Sequence, residues 1–78
     1  MSEVEEKVLG FFTTIYHKQP GELSLETNLM EDLDTRSILK MSVLALIEEE
    51  YDVDFSIVLL GECPTIGDVA RKVEELMA

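Results

Sequence analysis

Val4, Val8, Phe11, Phe12 and Ile15 recur three or four positions apart, the spacing of one helix face. Ser2 and Glu5 stand at capping-box spacing, and Lys18-Gln19-Pro20-Gly21 breaks the run. A first helix is therefore predicted from about Ser2 to Tyr16, with Gly10 a mild defect inside it. The block Met41-Ser42-Val43-Leu44-Ala45-Leu46-Ile47 is apolar nearly all round, which predicts a buried central helix from about Thr35 or Arg36 to Tyr51. Asp34 or Thr35 is the expected cap. Val43, Leu46, Ile47 and Tyr51 make one stripe of this helix, and Ser37, Ile38, Met41 and Ala45 another. Ile66, Val69, Ala70, Val73, Leu76 and Met77 mark a last helix from Ile66 to Met77, opened by a second box, Thr65 with Asp68.

Between these periodic stretches lie two segments of less regular pattern. Residues 18–36 form a long connection, and such connections are usually functional or mobile. Leu23, Leu25, Leu29, Met30 and Leu33 are expected to pin it to the core. In residues 53–60, Val53, Phe55 and Ile57 alternate with polar positions as in a strand. No second strand is evident, and a lone strand leaves its backbone unpaired. The favoured reading is an extended turn through Phe55 and a short helix from near Ser56 to Leu60, closed by Gly61. The sum is an all-α four-helix bundle, three main helices plus one short one, in a single domain over residues 1–78.

Charge changes the picture more than length does. The 78 residues include 17 Asp and Glu against 6 Lys and Arg, a net charge of -11. Phosphate backbones demand cationic surface, so nucleic acid is excluded as a partner and basic protein patches are favoured. Self-repulsion of this magnitude should be relieved by salt or divalent cations. Apolar residues at 46% supply a core and exclude a disordered acidic tail. The single cysteine, Cys63, allows no internal disulfide and fits a cytoplasmic location. No apolar run approaches membrane-spanning length, so no membrane insertion is expected, and the acidic start lacks the basic region of a signal peptide.

No catalytic constellation stands out in the pattern. His17 closes the first helix, where a protonated ring favours the helix dipole. No serine or cysteine lies near it in sequence, and Cys63 beside Pro64 reads as a small apolar residue. Asp32-x-Asp34 opens like a calcium loop, but Arg36, Ser37 and Val43 then stand at the third-ligand, glycine and glutamate positions, so no metal site is assigned. Loose divalent-ion binding by carboxylate clusters stays open. Ser37 admits three readings: a helix cap, a nucleophile, or an attachment point. The long loop before it, the apolar Ile38, Met41 and Ala45 beside it and Glu48-Glu49-Glu50 at the far end favour a functional one.

Glu31-Asp32-Leu33-Asp34-Thr35-Arg36-Ser37-Ile38, followed by Val43, Ile47, Glu48-Glu49-Glu50 and Tyr51-Asp52, resembles an acyl carrier protein. That family typically carries Glu-Asp-Leu-Gly-x-Asp-Ser-Leu and then a helix ending in Glu-Glu-Glu-Phe. The register runs without gaps from Glu31 to Asp52, continues to Pro64-Thr65-Ile66, and takes in Val4-Glu5-Glu6-Lys7-Val8 at the front. The resemblance implies that Ser37 is joined through a phosphodiester to 4′-phosphopantetheine, whose thiol carries acyl groups as thioesters. It implies a non-catalytic, monomeric shuttle for fatty-acid, lipid or polyketide-type biosynthesis. Its partners would be a phosphopantetheinyl transferase and acyl-transferring or condensing enzymes with basic patches. Arg36, Ile38, Met41, Ala45, Glu48 and Glu49 form the candidate partner surface. An aminoacyl or peptidyl carrier and an unmodified acidic interaction module remain as alternatives.

Three departures from the family pattern bear on function. Arg36 replaces the family's aspartate before the serine and reverses a charge. Leu39 and Ser42 stand where acids are common, and Lys40 adds a second cation. Ile57-Val58-Leu59-Leu60 is far more apolar than the family's short third helix, through a larger cargo pocket, a docking surface or simply extra core. Together they suggest a specialised carrier.

Overall fold

The computed structural model describes residues 1–34 and 36–78. They form four helices: α1 (Glu3–Ile15), α2 (Ser37–Tyr51), α3 (Ile57–Gly61) and α4 (Ile66–Met77). The all-α fold expected from the apolar periodicity is the one observed, and no strand occurs among the described residues. Both capping boxes form. Ser2 Oγ accepts the Glu5 amide at 3.1 Å while Glu5 accepts the Ser2 amide at 2.7 Å. Thr65 and Asp68 repeat the exchange, at 3.2 Å each way. Ser56 caps α3 by accepting the Leu59 amide.

α1 packs on α4 and α2, and α3 lies against α2. Phe12 of α1, Val43 and Ile47 of α2, Phe55, and Ile66 and Val69 of α4 are fully buried. α2 is not buried all round. Its core face is Val43, Leu44 and Ile47, whereas Leu46 and Tyr51 are only half-buried and Ile38, Met41 and Ala45 are exposed. Leu44 lies outside both expected stripes because α3 covers a second flank of α2, where Leu44 and Ile57 line one groove. On α4 burial ends at Val73; Leu76 and Met77, in the final turn, are 38% and 50% exposed.

The long connection is tied to the start of α4 by backbone bonds. Leu29 donates to the Pro64 carbonyl at 2.9 Å, Ile66 to Thr27 at 3.2 Å and Gly67 to Leu25 at 2.8 Å. Asn28 Oδ1 accepts the Met30 and Glu31 amides, and Asp32 accepts the Asn28 amide, so the turn before α2 is knitted by its own side chains. Leu23, Leu29 and Leu33 are buried as expected and Leu25 is half-buried. Met30 is not pinned: these side-chain bonds turn it outward, 66% exposed.

Candidate functional site

Ser37 is the first residue of α2 and is exposed. The cap position is Arg36, with no side-chain cap bond. Asp34 does not cap the helix; its Oδ1 accepts the Arg36 amide one residue too early, at 2.9 Å. Thr35, the other expected cap, lies outside the described residues. α2 also has no acidic residue in its first turn, unlike α1 and α4. Its leading amides are thus not satisfied by a side chain among the described residues, and a helix start in that state favours a phosphate. Ser37 puts a hydroxyl there.

The approach to Ser37 is held from α1. Tyr16 stacks on Phe12 and its hydroxyl donates to the Asp34 carbonyl at 3.1 Å. Arg36 Nε donates to Asp34 Oδ2 at 2.9 Å. The Arg36 amide, and then its guanidinium, holds the Asp34 carboxyl below the usual carboxylate range. The reversed charge seen in the sequence is therefore partly cancelled by the residue two positions before it.

Arg36, Ile38, Met41, Ala45, Glu48 and Glu49 are all exposed. Glu48 is also a structural residue, because its Oε2 accepts the half-buried Phe55 amide at 2.9 Å and fixes the turn into α3. Met30, Ile38, Met41, Ile57 and Val58 are 46–70% exposed, on α2, α3 and the loop beside them. The other large exposed apolar side chains described, Met1, Leu76 and Met77, lie near the chain ends. The extra-core reading of residues 57–60 therefore holds for Leu60, which is buried, and partly for Leu59, but fails for Ile57 and Val58.

Two grooves meet at Ile57. One, of about 500 Å3, starts at Ser37 and runs past Met41, Leu44 and Ala45 to Glu48. The other, of about 240 Å3, is lined by Leu29, Met30, Lys40, Ile57, Leu60 and Cys63, among others. Met30 was missed as a groove residue because its apolar character suggested burial. The polar residues around it, Asn28, Glu31 and Asp32, were the available signal.

The remaining candidates stay structural. His17 follows α1 in the left-handed region at φ 54. Cys63 is 4% exposed, with its thiol against the Leu59 carbonyl, and burial pushes the thiol's pKa up, away from the nucleophilic form. Asp32 and Asp34 spend their carboxylates on Asn28 and Arg36. No group of three or more His, Cys, Asp or Glu placed to hold a metal occurs among the described residues. No described helix is long and apolar enough to cross a membrane.

The model of the phosphopantetheine attachment site family matches residues 6–73. An acyl carrier protein of Amoebophilus asiaticus (strain 5a2) is 27% identical over 78 residues, covering 100% of this chain and 98% of that protein. An acyl carrier protein of Tropheryma whipplei (strain Twist) is 32% identical over 72 residues, covering 87% of this chain and 88% of its own. The solution NMR structure of a holo acyl carrier protein from Geobacter metallireducens superposes with a TM-score of 0.76 at 21% identity, over 97% of this chain and 87% of that one. With a helical bundle, an exposed serine at the first position of α2 and relatives matched nearly end to end, this chain belongs to the phosphopantetheine-binding acyl carrier protein family.

Proposed function

We propose that Ser37 bears the 4′-phosphopantetheine and that residues 1–78 work as one carrier domain in a dedicated acyl-handling pathway. The observation that carries this reading is the placement of an exposed Ser37 hydroxyl at an α2 start with no acid in its first turn and no side-chain cap among the described residues, beside an apolar groove. When bound, the group supplies a flexible arm whose terminal thiol holds acyl cargo as a thioester. The protein's own residues do the rest. The leading amides of α2 favour the phosphate charge, and the apolar walls of the grooves that meet at Ile57 shelter apolar cargo, at about 0.8 kcal/mol for each methylene removed from water.

The chain acts as carrier and substrate rather than as catalyst. Its partners are a phosphopantetheinyl transferase and acyl-transferring or condensing enzymes. They meet the face of Ile38, Met41 and Ala45, with basic groups opposite Glu49. The net charge of -11 opposes self-association, so the working form is a monomer, and we place it in the cytoplasm. Arg36, Lys40 and the exposed apolar α3 support a specialised carrier over a general fatty-acid one.

Incubation with coenzyme A and a broad phosphopantetheinyl transferase, followed by intact mass measurement, tests this. One phosphopantetheine adduct is expected on the wild type and none on Ser37→Ala. An adduct that persists in Ser37→Ala, or none with several transferases, overturns the assignment.

A further inference from the structure

We propose that Lys40 is a positioning residue. Its ammonium pairs with the phosphodiester at Ser37 and directs the arm and its cargo into the groove floored by Leu60 and Cys63, away from the groove that ends at Glu48. This rests on Ser37 being the attachment point.

Of the six Lys and Arg residues, Lys18 and Lys40 lack a carboxylate partner among the described residues, and of these two only Lys40 lies on α2, one turn after Ser37. Lys7, Arg36, Arg71 and Lys72 each lie within 3.2 Å of a carboxylate oxygen. Lys40 has no carboxylate partner among the described residues; its Nζ contacts the Met30 thioether at 4.0 Å. In a chain with 17 acids that is a conspicuous vacancy for an anion. Ser37 and Lys40 are three residues apart on α2, which brings their Cβ atoms to about 5–6 Å. Long helical side chains lean over the preceding turn, so the Lys40 stem runs back toward Ser37. The contact with Met30, in the loop before α2, agrees with that direction.

Charge distinguishes the two grooves. Lys40 is the one charged side chain among the described lining of the Leu29–Cys63 groove, whose other walls are apolar. Glu48 is the one charged side chain in the groove that begins at Ser37. The phosphodiester at the root of the arm is drawn toward Lys40 and so toward the first groove, whereas the second offers it a carboxylate and no cation. At about 240 Å3 the favoured groove exceeds the ~150 Å3 apolar cavity that suffices for a benzene-sized guest, so it takes a medium-length acyl chain.

Cys63 on the groove floor is a built-in reporter. The apo protein and an octanoyl-loaded form, made with octanoyl-coenzyme A and a broad transferase, each contain Cys63 as their one free thiol. The ratio of Cys63 alkylation rates, loaded over apo, is measured by intact mass for wild type, Lys40→Gln and Lys40→Glu. Taking the ratio within each variant cancels any general loosening of the fold. Loading should slow alkylation in the wild type. Roughly twofold to fivefold of that protection, the range an exposed ion pair supports, should be lost in Lys40→Gln, and more in Lys40→Glu. NOEs from the arm's methyl groups should reach Leu29 and Met30 in the wild type and shift to Met41 and Ala45 in Lys40→Glu. Equal protection in all three proteins, or none in the wild type, overturns the proposal. Failure to load at all strikes the Ser37 assignment instead.

Discussion

The Glu48 carboxylate accepts the backbone amide of Phe55 at 2.9 Å, although Phe55 lies in the connection beyond the end of α2 and Glu48 faces solvent. This bond closes the turn that carries the chain from α2 to α3, and Phe55 itself is 1% exposed. Glu49, its exposed neighbour, has no such bond among the described residues. The two acids of the candidate partner surface are therefore separable. Glu48→Ala should lower stability by about 1 kcal/mol, since a half-buried amide loses its acceptor, and Glu48→Gln should recover part of it. Glu49→Ala should leave the urea midpoint within error while weakening a basic partner. Equal unfolding midpoints for the two alanine variants would remove the structural role assigned to Glu48.

That pair also shows what could be read from sequence. The caps at Ser2 and Thr65 and the faces through Phe12 and Val69 were legible because local chemistry fixes them: each box spans four residues, each stripe is one helix. Met77 was placed on the apolar face at the end of α4, and it does end the helix but is half exposed, because periodicity marks a face while only packing decides what covers it. The Glu48–Phe55 bond, the outward turn of Met30 and the burial of Leu44 depend on where α3 and the long loop settle against α2. None has a periodic signature. At the candidate site the family register singled out Ser37, but the Asp34–Arg36 pairing appears only once the loop has a shape.

Tyr51 ends α2 with its hydroxyl buried and without a hydrogen-bond partner among the described residues. Burial also raises its pKa, and Glu50, Glu3 and Glu74 add to the rise against Lys7. An orphaned hydroxyl costs desolvation that a ring of the same shape avoids. Tyr51→Phe should therefore be neutral or stabilising, by up to about 1 kcal/mol, or several degrees in melting temperature for a domain of this size. Thermal unfolding checks it; a lower midpoint would mean the hydroxyl is satisfied by solvent.

Two glycines in helices should respond in opposite directions to alanine. A Cβ on Gly10 meets nothing within 4 Å, so Gly10→Ala should stabilise α1 by about 0.5–1 kcal/mol. A Cβ on Gly67 would sit 3.0 Å from the Leu25 carbonyl oxygen, which is held in place by the 2.8 Å bond from the Gly67 amide. Gly67→Ala must push the long loop off α4, at a cost of about 1–3 kcal/mol. Chemical denaturation of both variants should give midpoints on either side of the wild type.

The Asp68 carboxyl is held below its ordinary pKa, first by hydrogen bonding from the Thr65 side chain, then by the Thr65 amide and Arg71. A depressed folded-state pKa means the unfolded chain binds the proton first. The contribution is complete above about pH 4, the unfolded value, and is lost as pH falls through the lower folded value. Asp68→Asn should therefore be less stable than wild type at neutral pH, with the gap narrowing below about pH 4. Relief of the general acidic repulsion affects both proteins and drops out of the difference. Melting curves from pH 7 to pH 2 that stay parallel would contradict the assignment.

Arg36 is 71% exposed and its partner Asp34 42%, so the pair is open to water and easily exchanged. A transferase with a basic surface meets a guanidinium where the family carries aspartate, and the Asp34 carboxylate offsets only part of that charge. Arg36→Asp removes the cation and leaves two carboxylates before Ser37. Long-range attraction then rises, and with it the association rate, most strongly at low salt, where exposed charges act beyond about 10 Å. Phosphopantetheine transfer to Arg36→Asp should be several-fold faster than to wild type at low ionic strength, and the two rates should converge as salt is added. Arg36→Gln should fall between them. A rate for Arg36→Asp no higher than wild type at low salt would show that Asp34 already neutralises Arg36, and that selectivity for partner enzymes resides in the exposed apolar face of Ile38, Met41 and Val58.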